Sequence, residues 1–233
     1  MKISDFRGIF RTSELEVESV ENPYGDYYTV KIRIPKGYSW IPGEHGIFKL
    51  PGKNIQGKKW RAFSVASNPK EGFMLIGTRT GREISSFKSA LTGMKKGEKI
   101  SVRGPFGWFK VMDNKTPIVM IAGGVGITPI RAVAKSLEME KSRPVHIIYS
   151  SKDYYLFGDD FDEMATNNAS FHVSKYGSSS ETKAAVDKIT SQFENGAFYY
   201  ISGSQAFISS ISDQLKSSGV SKKRIINDPF LGY

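Results

Sequence analysis

The spacing of hydrophobic and polar positions changes about halfway along the chain. In the first half apolar side chains recur at every second position. Tyr28-Thr29-Val30-Lys31-Ile32-Arg33-Ile34 is the clearest case, and that period marks a strand with one buried face. Leu15, Val17 and Val20 mark an earlier strand after a lead-in. Gly46–Leu50, Trp60–Ser67, Phe73–Thr78 and Lys99–Arg103 read as further strands. Turn-forming residues separate them, in Glu21–Asp26, in Pro42-Gly43-Glu44-His45 and in the polar loop Pro51–Lys59. Short strands so spaced predict a small antiparallel barrel. One helix is expected here, Ile84–Leu91, with Phe87, Ala90 and Leu91 on one face.

In the second half, short apolar runs alternate with helical periods. The runs are Ile118–Ala122, Val145–Tyr149, Phe171–Ser174, Phe198–Ile201 and Arg224–Ile226, and the helical segments lie near 129–141, 158–166, 181–194 and 205–217. Runs without polar alternation suit strands buried on both faces, so the pattern predicts an α/β doubly wound parallel five-stranded sheet. Ser178-Ser179-Ser180-Glu181 is a capping box, and Gly219 sits at a helix C-terminus. The expected organisation is two-domain: an antiparallel β-barrel over 1–112 and an α/β domain over 113–233, divided within the polar stretch Phe109–Lys115.

The stretch IVMIAGGVGITPIRAVAKSLEM, residues 118–139, joins strand, glycine turn and helix. Gly123, Gly124 and Gly126 form the turn. Thr128 reads as the N-cap and Pro129 as the first helical residue. Such a turn lets a ligand touch the backbone, and the helix N-terminus offers N–H groups to a phosphate. Taken alone, it is equally a tight turn with no ligand. The order GGVGITP also differs from the G-x-G-x-x-G dinucleotide fingerprint.

Composition narrows the chemistry. The 233 residues are 39% hydrophobic, enough for a real core. No apolar stretch reaches membrane-spanning length and the first residues lack a signal-peptide core, so a cytoplasmic location is expected. The chain has no cysteine, which excludes disulfides, a cysteine-ligated iron–sulfur cluster and a zinc–thiolate site. His45, His146 and His172 lack metal-ligand spacing and are expected to be structural. Net charge is +10, and all of the excess lies in residues 1–112, with 20 Lys and Arg against 10 Asp and Glu. A one-sided basic field can steer an acidic partner. Interleaved aromatic and basic residues that would mark a nucleic-acid surface are missing.

Three motifs now stand in order: Arg61-Ala62-Phe63-Ser64, Gly104-Pro105-Phe106-Gly107, expected as a loop ending the barrel, and AGGVGITP at 122–129. Together they resemble the ferredoxin–NADP reductase family, over nearly the whole chain. The resemblance implies a stand-alone flavin-dependent NAD(P)H oxidoreductase, with FAD favoured over FMN and NADPH or NADH as hydride source. It implies that Arg61 pairs a flavin phosphate, that Phe63 stacks on the isoalloxazine where the family more often has Tyr, and that Ser64 bonds near flavin N5. Ala62, Thr78, Ser85, Ser86 and Phe87 are further implied flavin contacts. Gly123, Gly124, Gly126, Ile127, Thr128 and Pro129 are implied to hold the coenzyme. Ser202 and Gly203 stand where the family usually has Cys and Gly, which makes Ser202 a second catalytic candidate beside Ser64. Ser150, Lys152 and Lys175 would meet a 2′-phosphate, and no acidic residue ends the strand to select NADH, which tilts the expectation toward NADPH. Phe230 and Tyr233 would lie over the flavin. The expected acceptor is a small acidic carrier of ferredoxin or flavodoxin type. The alternatives are a ferric, flavin or quinone reductase, or a flavin-binding electron-transfer subunit of a larger complex. A monomer or weak dimer is expected.

Overall fold

The computed structural model describes residues 3–229, which divide into two compact units, the first ending at Lys110 and the second beginning at Val111. The first unit opens with a 3-10 helix, Ile3–Phe10. It then runs through β1 (Thr12–Tyr24), β2 (Tyr27–Arg33), β3 (His45–Lys49), β4 (Arg61–Ser64), β5 (Phe73–Arg79), α1 (Ser86–Thr92) and β6 (Lys99–Phe106). The strands pair antiparallel in the order β4-β3-β6-β1-β2-β5. The two ends of the sheet meet just beyond β4, where the Ala66 N–H donates to Leu75 O at 2.7 Å, so the sheet closes on itself as a barrel. Val30, Ile32, Phe48, Met74, Ile76, Phe87, Leu91 and Val102 fill it. Each such buried side chain contributes about 1.5–3 kcal/mol.

Two local expectations change. The turn read over Glu21–Asp26 shrinks to Gly25 and Asp26, because β1 continues to Tyr24. The Asn22 side chain donates to Gly25 O and Tyr27 O, which supports a bulged ladder where Pro23 cannot donate. The Gly-Pro segment is not a loop, since Gly104–Phe106 is the end of β6.

The second unit follows as β7 (Ile118–Gly123), α2 (Ile127–Leu137), β8 (Val145–Ser150), α3 (Gly158–Asn167), β9 (Phe171–Tyr176), α4 (Ser179–Phe193), β10 (Phe198–Ser202), α5 (Gln205–Ser217) and β11 (Ile225–Asn227). The five strands are parallel in the order β11-β10-β7-β8-β9. Residues 118–122 are fully buried, as expected for a central strand covered on both faces. The Ser178–Glu181 capping box forms at α4, and Gly219 takes a left-handed φ of +85° just past α5.

A buried polar group underlies the first unit. Asp5 pairs with Lys110 at 2.5 Å, and Glu44 nearby accepts the Ile41 N–H at 3.0 Å. Burial raises the pKa of the Glu44 carboxyl to about 7. A folded-state pKa above the unfolded one means that the native state holds the extra proton between about 4.5 and 7. Stability is therefore expected to fall as pH rises through that window. Glu44→Gln should flatten the dependence, read as Tm against pH; an unchanged slope would contradict the buried-acid assignment.

Candidate functional site

The parallel sheet reverses direction at β7: β8 and β9 are laid down on one side, β10 and β11 on the other. The carboxyl ends of β7 and β10 therefore flank the switch point, where doubly wound sheets bind ligands. Residues 123–126 lead out of β7 and residues 202–203 out of β10. The two turns touch: a Cβ built on Gly126 would lie 2.4 Å from the Gly203 backbone nitrogen. A Cβ on Gly123 would meet the Phe207 ring at 2.8 Å. These two glycines are thus demanded by chain packing. Gly124 differs. It has a φ of +54° and nothing within 4 Å of its would-be Cβ, leaving an open cradle beside half-exposed backbone.

The helix after this turn starts earlier than Thr128. Gly124–Gly126 form a 3-10 turn, α2 begins at Ile127, and Gly126 occupies the N-cap position without a side-chain bond. Thr128 lies inside the first turn and donates to Val125 O at 3.1 Å. Ile127, Thr128 and Pro129 are buried, so what this end presents is backbone. Ser202 is also fully buried, and its hydroxyl donates to Asp228 Oδ2 at 2.9 Å, a partner that sequence reasoning missed.

At the end of β8 the Ser150 hydroxyl is hydrogen-bonded to the Thr182 hydroxyl at 2.8 Å, facing α4. Lys175 is turned toward α3, with Nζ 2.6 Å from Asp162. Lys152 is exposed.

In the first unit, β4 is an edge strand and all four of its residues are half-buried. Arg61 donates to Lys58 O at 2.8 Å and Trp60 O at 2.9 Å, and its guanidinium carbon lies 5.4 Å from the Phe87 ring centre. Phe63 packs on Phe48 and Phe87 at ring separations of 5.5 and 6.3 Å. Phe87, expected as a contact, is fully buried and supports Phe63 from beneath. Thr78 is likewise buried. Ser85 N-caps α1 by accepting the Lys88 N–H, and the Ser86 hydroxyl accepts the Gln56 N–H at 3.1 Å.

Lys88 is the residue the sequence hid. It reads as one more surface lysine on a short helix, yet it is 5% exposed and donates to Arg79 O. Burial first, then the charge of Arg61, lower its pKa to about 8. With Arg79 and Arg82 it lines an open cavity of about 420 Å³ that also includes Asp26, Thr80 and Gly81. Its lining carries three cations and one carboxylate, with Arg79 paired to Asp26 at 3.0 Å.

His45, opposite Ser64 in the β3–β4 register, packs its ring on Phe106 at 4.5 Å, with both nitrogens buried and unbonded. Burial lowers its pKa to about 4, so the ring is neutral. His146 and His172 stack at 4.5 Å across β8 and β9. Among the described residues no group of three or more His, Cys, Asp or Glu could hold a metal. No helix among them is long and apolar enough to cross a membrane. Phe230 and Tyr233 lie outside the described residues.

Comparison with known proteins puts these features in one context. The family described as "Oxidoreductase NAD-binding domain" matches residues 120–213. The chain is 32% identical over 114 residues to the toluate 1,2-dioxygenase electron transfer component of Pseudomonas putida, covering 48% of this chain and 32% of the relative. It is 26% identical over 226 residues to a component of the Na(+)-translocating NADH-quinone reductase of Shewanella denitrificans, covering 85% and 55% respectively. Its fold superposes on a ferredoxin NADP+ reductase from Neisseria gonorrhoeae with bound FAD and NADP, at a TM-score of 0.76 and 16% identity over 93% of this chain and 97% of that one. The chain thus carries a match to an oxidoreductase NAD-binding domain in its second half and shares the fold of a ferredoxin NADP+ reductase. Its six-stranded antiparallel and five-stranded parallel sheets are the fold it shares with that reductase. The chain spans about half the length, or less, of these curated relatives.

The geometry separates two glycines that look alike in sequence. Gly126→Ala should cost roughly 3 kcal/mol or more, because its Cβ strikes backbone that cannot yield. Gly124→Ala should cost only about 1–2 kcal/mol, from the left-handed φ alone. Urea unfolding of both variants checks this, and equal losses would refute the packing role of Gly126.

Proposed function

We propose that the chain is a flavin-dependent NAD(P)H oxidoreductase, with FAD held by the antiparallel unit and the nicotinamide dinucleotide at the switch point of the parallel unit. The observation that carries the proposal is the meeting of the Gly123–Gly126 and Ser202–Gly203 turns at that switch point, with the Gly124 backbone left open to a ligand. The donor set in the antiparallel unit suits a phosphorylated flavin. When bound, the flavin accepts hydride from the coenzyme and passes electrons on.

The residues of the chain bind and orient. Arg61 and Lys88, with Arg79 and Arg82, hold the flavin phosphates beside α1. Phe63 supplies the stacking face, and Phe87 keeps it in place. Ser64 bonds near N5. In the other unit the first turn of α2 faces the coenzyme diphosphate, and Gly124 gives it close approach. Ser202, fixed by Asp228, shapes the nicotinamide end from within. No general acid–base pair is required.

For the acceptor we propose a small acidic carrier, steered by the basic unit. Lys49, Lys58 and Lys59 are exposed there, while Lys53 is paired with Glu98 and adds less than its sequence position suggested. A role as the electron-transfer part of a larger system is the second reading. It is favoured by relatives named as components of a dioxygenase and of a quinone reductase.

The purified protein should be yellow and release FAD on denaturation. Arg61→Ala and Lys88→Ala should each weaken flavin retention by roughly 10–100-fold, the scale of one charged hydrogen bond. A bound phosphate raises the pKa of Lys88, so retention should fall as pH climbs past about 8, and Lys88→Ala should remove that fall. A colourless protein that no flavin reconstitutes would refute the proposal. Reduction of an acidic carrier should slow steeply with salt, and more so after Lys49→Glu, Lys58→Glu and Lys59→Glu. Salt-independent turnover with such carriers, beside brisk reduction of a neutral acceptor, would favour a small-molecule reductase.

A further inference from the structure

We infer that the parallel unit selects the dinucleotide that lacks a 2′-phosphate, NADH, against NADPH. The inference rests on the switch point being the coenzyme site. It reverses the tilt toward NADPH that the sequence suggested.

In a doubly wound sheet the adenosine ribose lies beyond the end of the strand next to the glycine turn, here β8. A 2′-phosphate is a dianion and needs unengaged cations and hydroxyls there. The groups at this end are committed elsewhere. The Ser150 hydroxyl is turned to α4, where it donates to Thr182 Oγ1 at 2.8 Å because the Thr182 proton goes to Ser178 O at 2.7 Å. Ser151 is buried and donates to Tyr154 O at 2.7 Å. Lys175, beside Tyr149 in the register, points to the α3 face. There its ammonium meets Asp162 at 2.6 Å and Gly158 O at 3.3 Å. Arg131, on α2, pairs with Asp160 of α3.

What remains at the strand end is Lys152 followed at once by Asp153, both exposed. Residues 150–181 contain two lysines, no arginine and six acids: Asp153, Asp159, Asp160, Asp162, Glu163 and Glu181. A neutral ribose diol can donate to a carboxylate such as Asp153. A phosphate dianion would be repelled by the same field.

Calorimetric titration of the flavin-loaded protein with the oxidised coenzymes separates binding from turnover. NAD+ should bind roughly 10-fold or more tightly than NADP+. Asp162→Asn releases Lys175 and should strengthen NADP+ binding several-fold while leaving NAD+ unchanged. Asp153→Asn should narrow the gap by weakening NAD+ and easing NADP+. Equal or tighter binding of NADP+ by the unaltered protein overturns the inference, as does an Asp162→Asn variant whose preference does not move. Binding of neither coenzyme overturns the coenzyme site itself, and the inference with it.

Discussion

The contact between the turn after β7 and the turn after β10 is the constraint on which the parallel unit depends. Gly126 and Gly203 approach so closely that no side-chain carbon fits on Gly126. That approach holds together the two strands flanking the switch point. It also frees Gly124, two positions back from the crowding, to present open backbone. The proposed coenzyme site would therefore be built largely from main chain, with the buried residues of α2 packed behind it. Ser202 and Asp228 belong to the same arrangement: their bond ties the end of β10 to the residue just after β11.

The antiparallel unit solves a different problem. In the proposed function its binding chemistry falls to cations on three separate elements, Arg61 on β4, Arg79 on β5 and Lys88 on α1. Burying Lys88 among arginines is unfavourable in the free protein, as its lowered pKa indicates. The arrangement becomes favourable once an anion is added. On that proposal, charge that looks like surplus in the composition is partly local charge for a flavin phosphate. Another part, such as Lys53, is offset by a neighbouring carboxylate.

The fold was legible because each half obeys one period. Alternation marked β2, and unbroken apolar runs marked the central strands of the parallel sheet. The glycine turn was legible as a motif, but its internal division was not. Gly123, Gly124 and Gly126 differ only in what lies opposite them, and Phe207 and Gly203 come from about 80 residues further on (a separation no local pattern carries). Thr128 was misread as a cap because a 3-10 turn before α2 moves the helix start to Ile127. Lys88 was invisible because burial of a polar residue leaves no trace in spacing. Lys175 looked available until α3 supplied Asp162.

The central proposal is that the parallel unit binds the coenzyme and the antiparallel unit binds the flavin that it reduces. Anaerobic addition of one equivalent of NADH to the flavin-loaded protein tests it most directly, followed by visible absorbance. The account predicts loss of the oxidised-flavin bands, slowed in a Gly124→Val variant that still carries its flavin. A yellow protein whose spectrum neither NADH nor NADPH changes would contradict it.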